Sequence, residues 1–216
     1  MIIAIDGPAG SGKSTIAKVV ATKKGLFYLD TGAMYRMMTL RTLEMGLDIE
    51  KNEDIERLIR ENSITISEGK YFLNGVAVGL EIRTPEVDAN VSRVSAVKVI
   101  REAMVKRQRE LSQSSSVILD GRDIGTVVFP NADVKIFLTA SVHERALRRY
   151  KEYKEKGGTL ALEVIEEEIA KRDFQDENRK ESPLKQADNA LLVDTTGKTI
   201  EQVVEKIIEI VDRVHG

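Results

Sequence analysis

Five short apolar runs punctuate the chain: IIAI at 2–5, LFYL at 26–29, VILD at 117–120, VKIFLT at 134–139 and ALLVD at 190–194. None alternates regularly with polar residues. Continuous apolar runs of this length suit strands covered on both faces, as in a parallel sheet. Between them the apolar spacing widens to a helical period. The segment 95–111 repeats apolar residues at Val97, Ile100, Met104 and Leu111, and 199–211 repeats them at Ile200, Val203, Val204, Ile207, Ile208 and Val211. Two helix starts carry a capping box, Ser141 with Glu144 and Thr199 with Gln202. This alternation predicts an α/β fold, a parallel sheet flanked by helices on both faces.

One stretch departs from it. ITISEGKYFLNGVAVG, 64–79, holds three short β-type runs split by Glu68-Gly69 and Asn74-Gly75. Asn-Gly favours a two-residue hairpin turn, where both central residues need positive φ. A small antiparallel meander is expected there, inserted early in the parallel core. Thr84 followed by Pro85 then predicts a helix start, with Thr as cap and Pro at the first helical position.

Composition narrows the classes. The 216 residues carry a formal charge of −2 and 31% charged residues, so no global field attracts nucleic acid. No cysteine is present, which excludes disulfides, thiolate metal sites and a cysteine nucleophile. No apolar run approaches the ~20 residues of a membrane span, and 1–5 is too short for a signal peptide. A cytoplasmic protein with no membrane or nucleic-acid partner is expected, and a monomer.

The chemistry enters at GPAGSGKST, 7–15. Gly7, Gly12, Lys13 and Ser14 fit G-x-x-x-x-G-K-[ST], with an apolar strand before and a helical segment after. Glycines let backbone N–H groups turn toward anionic oxygens, and the helix adds its positive end. Gly7, Pro8, Ala9, Gly10, Ser11, Gly12, Lys13, Ser14 and Thr15 are therefore expected to hold the phosphate chain of a nucleotide. Lys13 would reach the β- and γ-phosphates and Ser14 would ligate Mg²⁺. GTPases, ATPase motors and small-molecule kinases all share this loop.

Arginine-bearing stretches narrow the acceptor. LDTGAMYR, 29–36, places Thr31 to cap a helix carrying Arg36. LDGRDIGTVVFP, 119–130, runs a buried strand into a loop with Arg122 and Asp123 at the strand's C-terminal edge, where open α/β sheets bind ligands. KRDFQDENR, 171–179, puts Arg172, Asp176 and Arg179 on one face if the helix continues. Arg172 with Asp176 also reads as a plain helix ion pair. Arg145, Arg148 and Arg149 read either as an anion-binding lid or as a solvated face. A net-acidic chain that gathers arginines near a phosphate loop calls for a second anion. A monophosphate acceptor is largely a dianion at neutral pH, since its second pKa is near ~6, and needs no general base. Holding two anions in line and spreading charge is then the protein's task.

Over essentially its whole length the chain resembles the bacterial cytidylate kinases, a family of nucleoside monophosphate kinases. The resemblance is carried by IDGPAGSGKST, LDTGAMYR, EIRTPEV, NVSRVSAVKVIREAMVKRQR, LDGRDIGTVVFP, the 134–149 stretch, RDFQDENR and ALLVDTT. It implies a P-loop NTPase-type core made of 1–35, 114–147 and 180–216. An acceptor-nucleotide sub-domain would span 36–113 with its β insert at 63–80, and a lid with the following helix would span 148–179. It implies transfer of the γ-phosphoryl group of ATP to CMP or dCMP with Mg²⁺. Lys13, Arg36, Arg122 and Arg179 would stabilise charge, with the three arginines on the acceptor phosphate. Arg172 and Asp176 would lie near the acceptor's sugar and phosphate. Ser92, Arg101 and Asp123 would read the cytosine. Thr31 keeps a hydroxyl where the family carries Ser. A carboxylate accepts from cytosine's amino group and repels uracil's O4, so Asp123 fits a cytosine reader. Asp120, at a strand end, is a further candidate for the metal through water.

Other acceptors on the same architecture, such as UMP, AMP or a sugar acid, are the nearest rivals. A GTPase is disfavoured because the tetrapeptide Asn-Lys-x-Asp is absent. An RNA-binding protein is disfavoured by the acidic balance.

Overall fold

The structure, a computed structural model, describes residues 1–67, 69–113, 115–155 and 157–215; Glu68, named in the meander, lies outside them. Five strands form one sheet: β1 (Ile2–Asp6), β2 (Phe27–Asp30), β6 (Val117–Gly121), β7 (Val134–Thr139) and β8 (Leu191–Asp194), in the order β2-β6-β1-β7-β8. β1 pairs in parallel with β6 and with β7, and β7 with β8. All five expected runs became strands to within a residue; β1 and β6 lose their water on both faces, whereas β8, at one edge of the sheet, leaves Leu191 and Leu192 exposed. Ile3, Ile5, Ile118, Ile136 and Leu138 are buried against α1 (Lys13–Lys24) and α8 (Ile200–His215). Each such side chain contributes about 2 kcal/mol by burial.

Contacts divide the chain into two compact units, Met1–Tyr28 with Ser116–Gly216, and Leu29–Ser115. The first unit holds nearly all of the sheet, α1, a π-helical turn (Ile124–Val128), and the helices α6 (Val142–Glu155), α7 (Leu162–Asn178) and α8. α6 and α7 pack on each other through Ala146, Ile165 and Ile169. The capping box at Thr199 forms in full: Thr199 N–H donates to Gln202 Oε1 (3.0 Å), and Gln202 N–H donates to Thr199 Oγ1 (3.3 Å). At Ser141 only half forms. Glu144 N–H donates to Ser141 Oγ, while the Glu144 carboxylate turns to Arg148 and the Ser141 N–H to Thr196.

The second unit holds α2 (Thr31–Glu44), α3 (Asn52–Arg60), a three-stranded sheet, α4 (Pro85–Ser95) and α5 (Lys98–Leu111). Its antiparallel strands β3 (Ile64–Ser67), β4 (Lys70–Leu73) and β5 (Val76–Ala77) are the expected meander. Asn74 and Gly75 take φ 52° and 80°, the two positive values the tight hairpin requires, and Leu73 faces Val76 across it. Thr84 caps α4 as expected, its side chain accepting from Val87 N–H.

Two expectations are corrected. Thr31 does not cap α2. Asp30 does, its carboxylate accepting from Ala33 N–H at 2.8 Å, and Thr31 is the buried first helical residue. Asp30 takes the position because a full negative charge at a helix N-terminus is stabilised more than a hydroxyl dipole. Arg179 does not continue the α7 face. The helix ends at Asn178, and Arg179 is extended (φ −63°, ψ 142°), its Nε donating to Ser182 O. Ser182, at φ 49° and ahead of Pro183, turns the chain there, and Leu184 N–H returns to Asp176 O.

Candidate active site

In the first unit the loop 7–15 leaves the C-terminal end of β1, beside the ends of β6 and β7. Gly7 is required there: at φ 149° a Cβ would stand 2.0 Å from Leu138 O on β7. Gly10 and Gly12 also hold positive φ, and Gly12 caps α1. Ser11 Oγ donates to Pro8 O, and buried Lys13 reaches back so that Nζ donates to the same carbonyl at 2.7 Å. Ala9 and Ser11 are buried, and Thr15 is exposed on α1. Ser14 Oγ donates to Asp120 Oδ2 (2.8 Å), and Tyr28 O–H donates to Asp120 Oδ1 (2.7 Å).

Beyond β6 the chain carries Arg122 and Asp123. Arg122 Nε donates to Asp176 Oδ2 on α7 at 2.9 Å, and Arg179 approaches Asp123 at 3.9 Å. Lys13, Arg122, Asp123, Arg172, Asp176 and Arg179 thus share one electrostatic neighbourhood, despite their separation in sequence. Burial lowers the Lys13 pKa well below its usual value, and the Arg122 charge lowers it further, against Asp120, Asp6 and Asp176. Burial raises Asp176, but the guanidinium groups of Arg122, Arg172 and Arg179, with the hydrogen bond from Arg122, outweigh it and hold the carboxyl below its usual value. Arg172 with Asp176 is therefore part of a buried network and not a lone surface pair.

Asp6, which spacing alone did not single out, ends β1 and anchors the next loop. Its two carboxylate oxygens accept from Ile124 N–H (2.8 Å) and Gly125 N–H (2.7 Å), so it fixes the turn that follows Asp123. Burial raises its pKa from 3.8 to about 6, the two backbone bonds offsetting only part of this. A folded-state pKa above the unfolded one contributes stability that is full below the ordinary value and is lost as pH rises through about 6. The difference is worth about 3 kcal/mol. Urea unfolding at pH 4.5 and 7 should therefore show the wild type gaining on Asp6→Asn at the lower pH; equal slopes for the two proteins would refute this.

In the second unit Arg36 is already held: Nη2 pairs with Asp88 (2.5 Å) and Nη1 donates to Ile82 O (3.1 Å). Arg101, 3% exposed, lies over the Tyr35 ring and donates from Nη1 to Ser95 O. Ser92 is half-buried on α4, its carbonyl accepting from Ser95 Oγ. Asp30 collects Arg83 on its second oxygen, and its N–H donates to the Tyr71 hydroxyl of β4, so the small sheet is tied to the start of α2. Asp88 and Tyr71 were not expected from sequence, since neither lies in a recognisable motif.

The sequence allows Arg145 either a lid role or a solvated face. Arg145 is 4% exposed and wholly engaged inside the first unit, so the solvated-face alternative fails for it. Arg148 sits beside Gly12 and donates to Thr195 Oγ1 and O.

Among the described residues no group of three or more His, Cys, Asp or Glu is placed to hold a metal, and no helix is long and apolar enough to cross a membrane. The hydroxyl and carboxylate pair of Ser14 and Asp120 offers the hard oxygens that Mg²⁺ takes, and Mg²⁺ needs only one or two protein oxygens when phosphates supply others.

A family model described as cytidylate kinase matches residues 3–213. The cytidylate kinase of Bacillus cereus (strain ATCC 10987 / NRS 248) is 52% identical over 218 residues, covering 99% of this chain and 97% of that protein. The cytidylate kinase of Thermosipho melanesiensis is 51% identical over 209 residues, covering 97% and 95%. A crystal structure of an uncharacterized protein from Eubacterium ventriosum superposes with a TM-score of 0.56 at 12% identity over 99% and 98% of the two chains, a likeness of fold alone.

Proposed function

This chain belongs to the cytidylate kinase family, and from that membership we infer that it transfers the γ-phosphoryl group of ATP to CMP or dCMP, giving ADP and CDP or dCDP. The observation that carries the residue assignment is the buried neighbourhood of Lys13, Arg122, Asp176 and Arg179 beyond the strand ends that hold the phosphate loop.

The chemistry proceeds from that geometry. Loop residues 7–15 cradle the donor phosphates. Lys13, discouraged from carrying its charge in a buried site, regains a reason to carry it when the triphosphate arrives. Arg122 and Arg179 are oriented by Asp176 and Asp123, and Arg36 by Asp88, so each side chain is already ordered and gives up little further side-chain entropy. These three arginines take the acceptor phosphate, and Arg172 with Asp176 lies near its sugar. The acceptor attacks as a dianion, so no group must remove a proton. Thr31, Ser92, Arg101 and Asp123 serve the nucleotide, with Arg101 and Asp123 reading cytosine. Residues 36–113 are proposed as the acceptor part, and 148–179 as the lid, with Gly157 at φ 79° between its two helices. Mg²⁺ would be held by Ser14 with Asp120 alongside, and would neutralise charge on the donor phosphates. A monomer is proposed, and the nucleotide substrates fit a cytoplasmic setting.

A coupled assay of ADP release with ATP, Mg²⁺ and a panel of CMP, dCMP, UMP, AMP and sugar acids tests the proposal. CMP and dCMP should lead; a preference for AMP or a sugar acid would overturn it. In the same assay Asp123→Ala should lower turnover on every acceptor, because Arg179 loses its buried counter-charge. It should also shrink the CMP/UMP preference about tenfold or more. An unchanged ratio would remove Asp123 as the base reader.

A further inference from the structure

Arg145 is a side chain with three separate duties. Its Nε donates to Ala140 O just past β7 (3.0 Å), its Nη1 donates to Ala9 O in the phosphate loop (3.0 Å), and its Nη2 pairs with Asp173 Oδ2 on α7 (2.6 Å). Its Cβ packs against Gly10, where an added methyl would stand 3.3 Å away. Each nitrogen of the fork is therefore committed to a different stretch of the first unit. A guanidinium so engaged and so buried is a strut and not a hand held out to a nucleotide.

The bond to Ala9 O has a directional consequence. A trans peptide points its C=O and the following N–H to opposite sides. Fixing Ala9 O on Arg145 turns the Gly10 N–H away from Arg145, the sense a cradle of inward N–H donors needs. The other end of the strut is equally specific. Asp173 is buried, its Oδ1 has no hydrogen-bond partner, and it follows Arg172 and precedes Asp176 by three residues on the same helix. Arg145 thereby ties the loop that meets the donor to the helix whose neighbouring residues are assigned to the acceptor.

We propose that Arg145 and Asp173 are a positioning pair that sets the phosphate loop and α7 in one fixed register, so that donor and acceptor groups are aligned together. The proposal rests on the assignment of 7–15 to ATP and of Arg172 and Asp176 to the acceptor. A wild-type protein inactive on CMP would defeat that assignment, whereas the comparison of variants with an active wild type tests the pair.

The experiment measures kcat and KM for ATP and for CMP in Arg145→Lys, Asp173→Asn, their combination, and Arg145→Met/Asp173→Leu, with thermal unfolding alongside. The last variant removes both buried charges at once, so it folds even where a lone charge would not be tolerated, and it decides the matter if the single variants unfold. Each single variant should raise KM for ATP about fivefold and lower kcat about tenfold, since small misplacements are costly in a positioned reaction. The combination should be no worse than the poorer single variant, because both remove one interaction. The Met/Leu variant should fold and lose about tenfold or more in kcat/KM. Three results would overturn the pair: an ATP effect for Arg145→Lys alone, which would mark direct contact with the nucleotide; additive losses; or near-wild-type kinetics in the Met/Leu variant, which would mark a merely structural contact.

Discussion

Replacing Lys13 with methionine is expected to lower kcat about 10³-fold while leaving the unliganded protein as stable as the wild type or more so. The two effects have one cause. Lys13 is buried, and burial followed by the Arg122 charge pushes its pKa well below the usual value. A lysine whose folded pKa is depressed contributes stability only above its unfolded pKa of 10.5, and that contribution is lost as pH falls toward the folded value. At neutral pH the charged side chain is thus a net cost to the fold. Methionine, of similar length and uncharged, removes the cost and gives up the hydrogen bond to Pro8 O and the longer one to Ser11 Oγ, together worth about 1–2 kcal/mol. Catalysis loses the cation that meets the charge developing on the transferred group, an effect of about 10²–10³ for one well-placed donor and at the upper end for a full charge in a dry site. Steady-state assays with ATP and CMP, paired with thermal unfolding without ligand, check both halves. A kcat within tenfold of wild type would remove Lys13 from the reaction, and a large fall in Tm would contradict the electrostatic account.

Gly7→Ala is expected to cost about 3 kcal/mol or more of stability and to raise the Kd for ATP about 100-fold. A Cβ at this position would lie 2.0 Å from Leu138 O and 3.0 Å from Leu138 C, both backbone atoms of a fully buried residue on β7. Neither can step aside as a flexible side chain could. Either the loop leaves its place beside β7, which scatters the donors aimed at the phosphates, or the strand end shifts and disturbs the sheet. Gly25→Ala is the internal comparison. Gly25 also has positive φ, at 63°, but meets nothing within 4 Å, so it should lose only the left-handed penalty of about 1 kcal/mol and no activity. Denaturant titration and nucleotide-binding calorimetry on the two variants separate steric clash from backbone preference. Equal losses for both would show that the approach to Leu138 is unimportant.

What could be read from sequence follows what local physics decides. The strands were legible because a run such as IIAI is apolar on both faces and leaves little choice of structure. The hairpin at Asn74-Gly75 was legible because two successive positive φ values suit few residue pairs. The phosphate loop was legible because its function constrains the backbone itself. Arg122 and Asp123 were legible from their place at a strand's end. Partnership was not. Nothing in LDTGAMYR says that Arg36 will meet Asp88, fifty-two residues later. Nothing in HERALRR distinguishes Arg145, committed to three acceptors, from a solvated arginine on the same helix. Thr31 does not cap α2 because Asp30 stands one residue earlier with the better acceptor. Arg179 left the helical face because the turn at Ser182 took over before the period could be completed.

The central strand has a temporal consequence. β1 is paired on one edge by 117–121 and on the other by residues 134–137, so it is synthesised long before either of its neighbours. Leu29–Ser115, by contrast, is one unbroken stretch whose strand partners lie within a dozen residues of each other. On the ribosome that stretch has all of its own material while the sheet's middle is still waiting. Until residue 137 has been joined, Ile2, Ile3 and Ile5 travel as a greasy, unpaired ribbon that the cell must keep from meeting another of its kind.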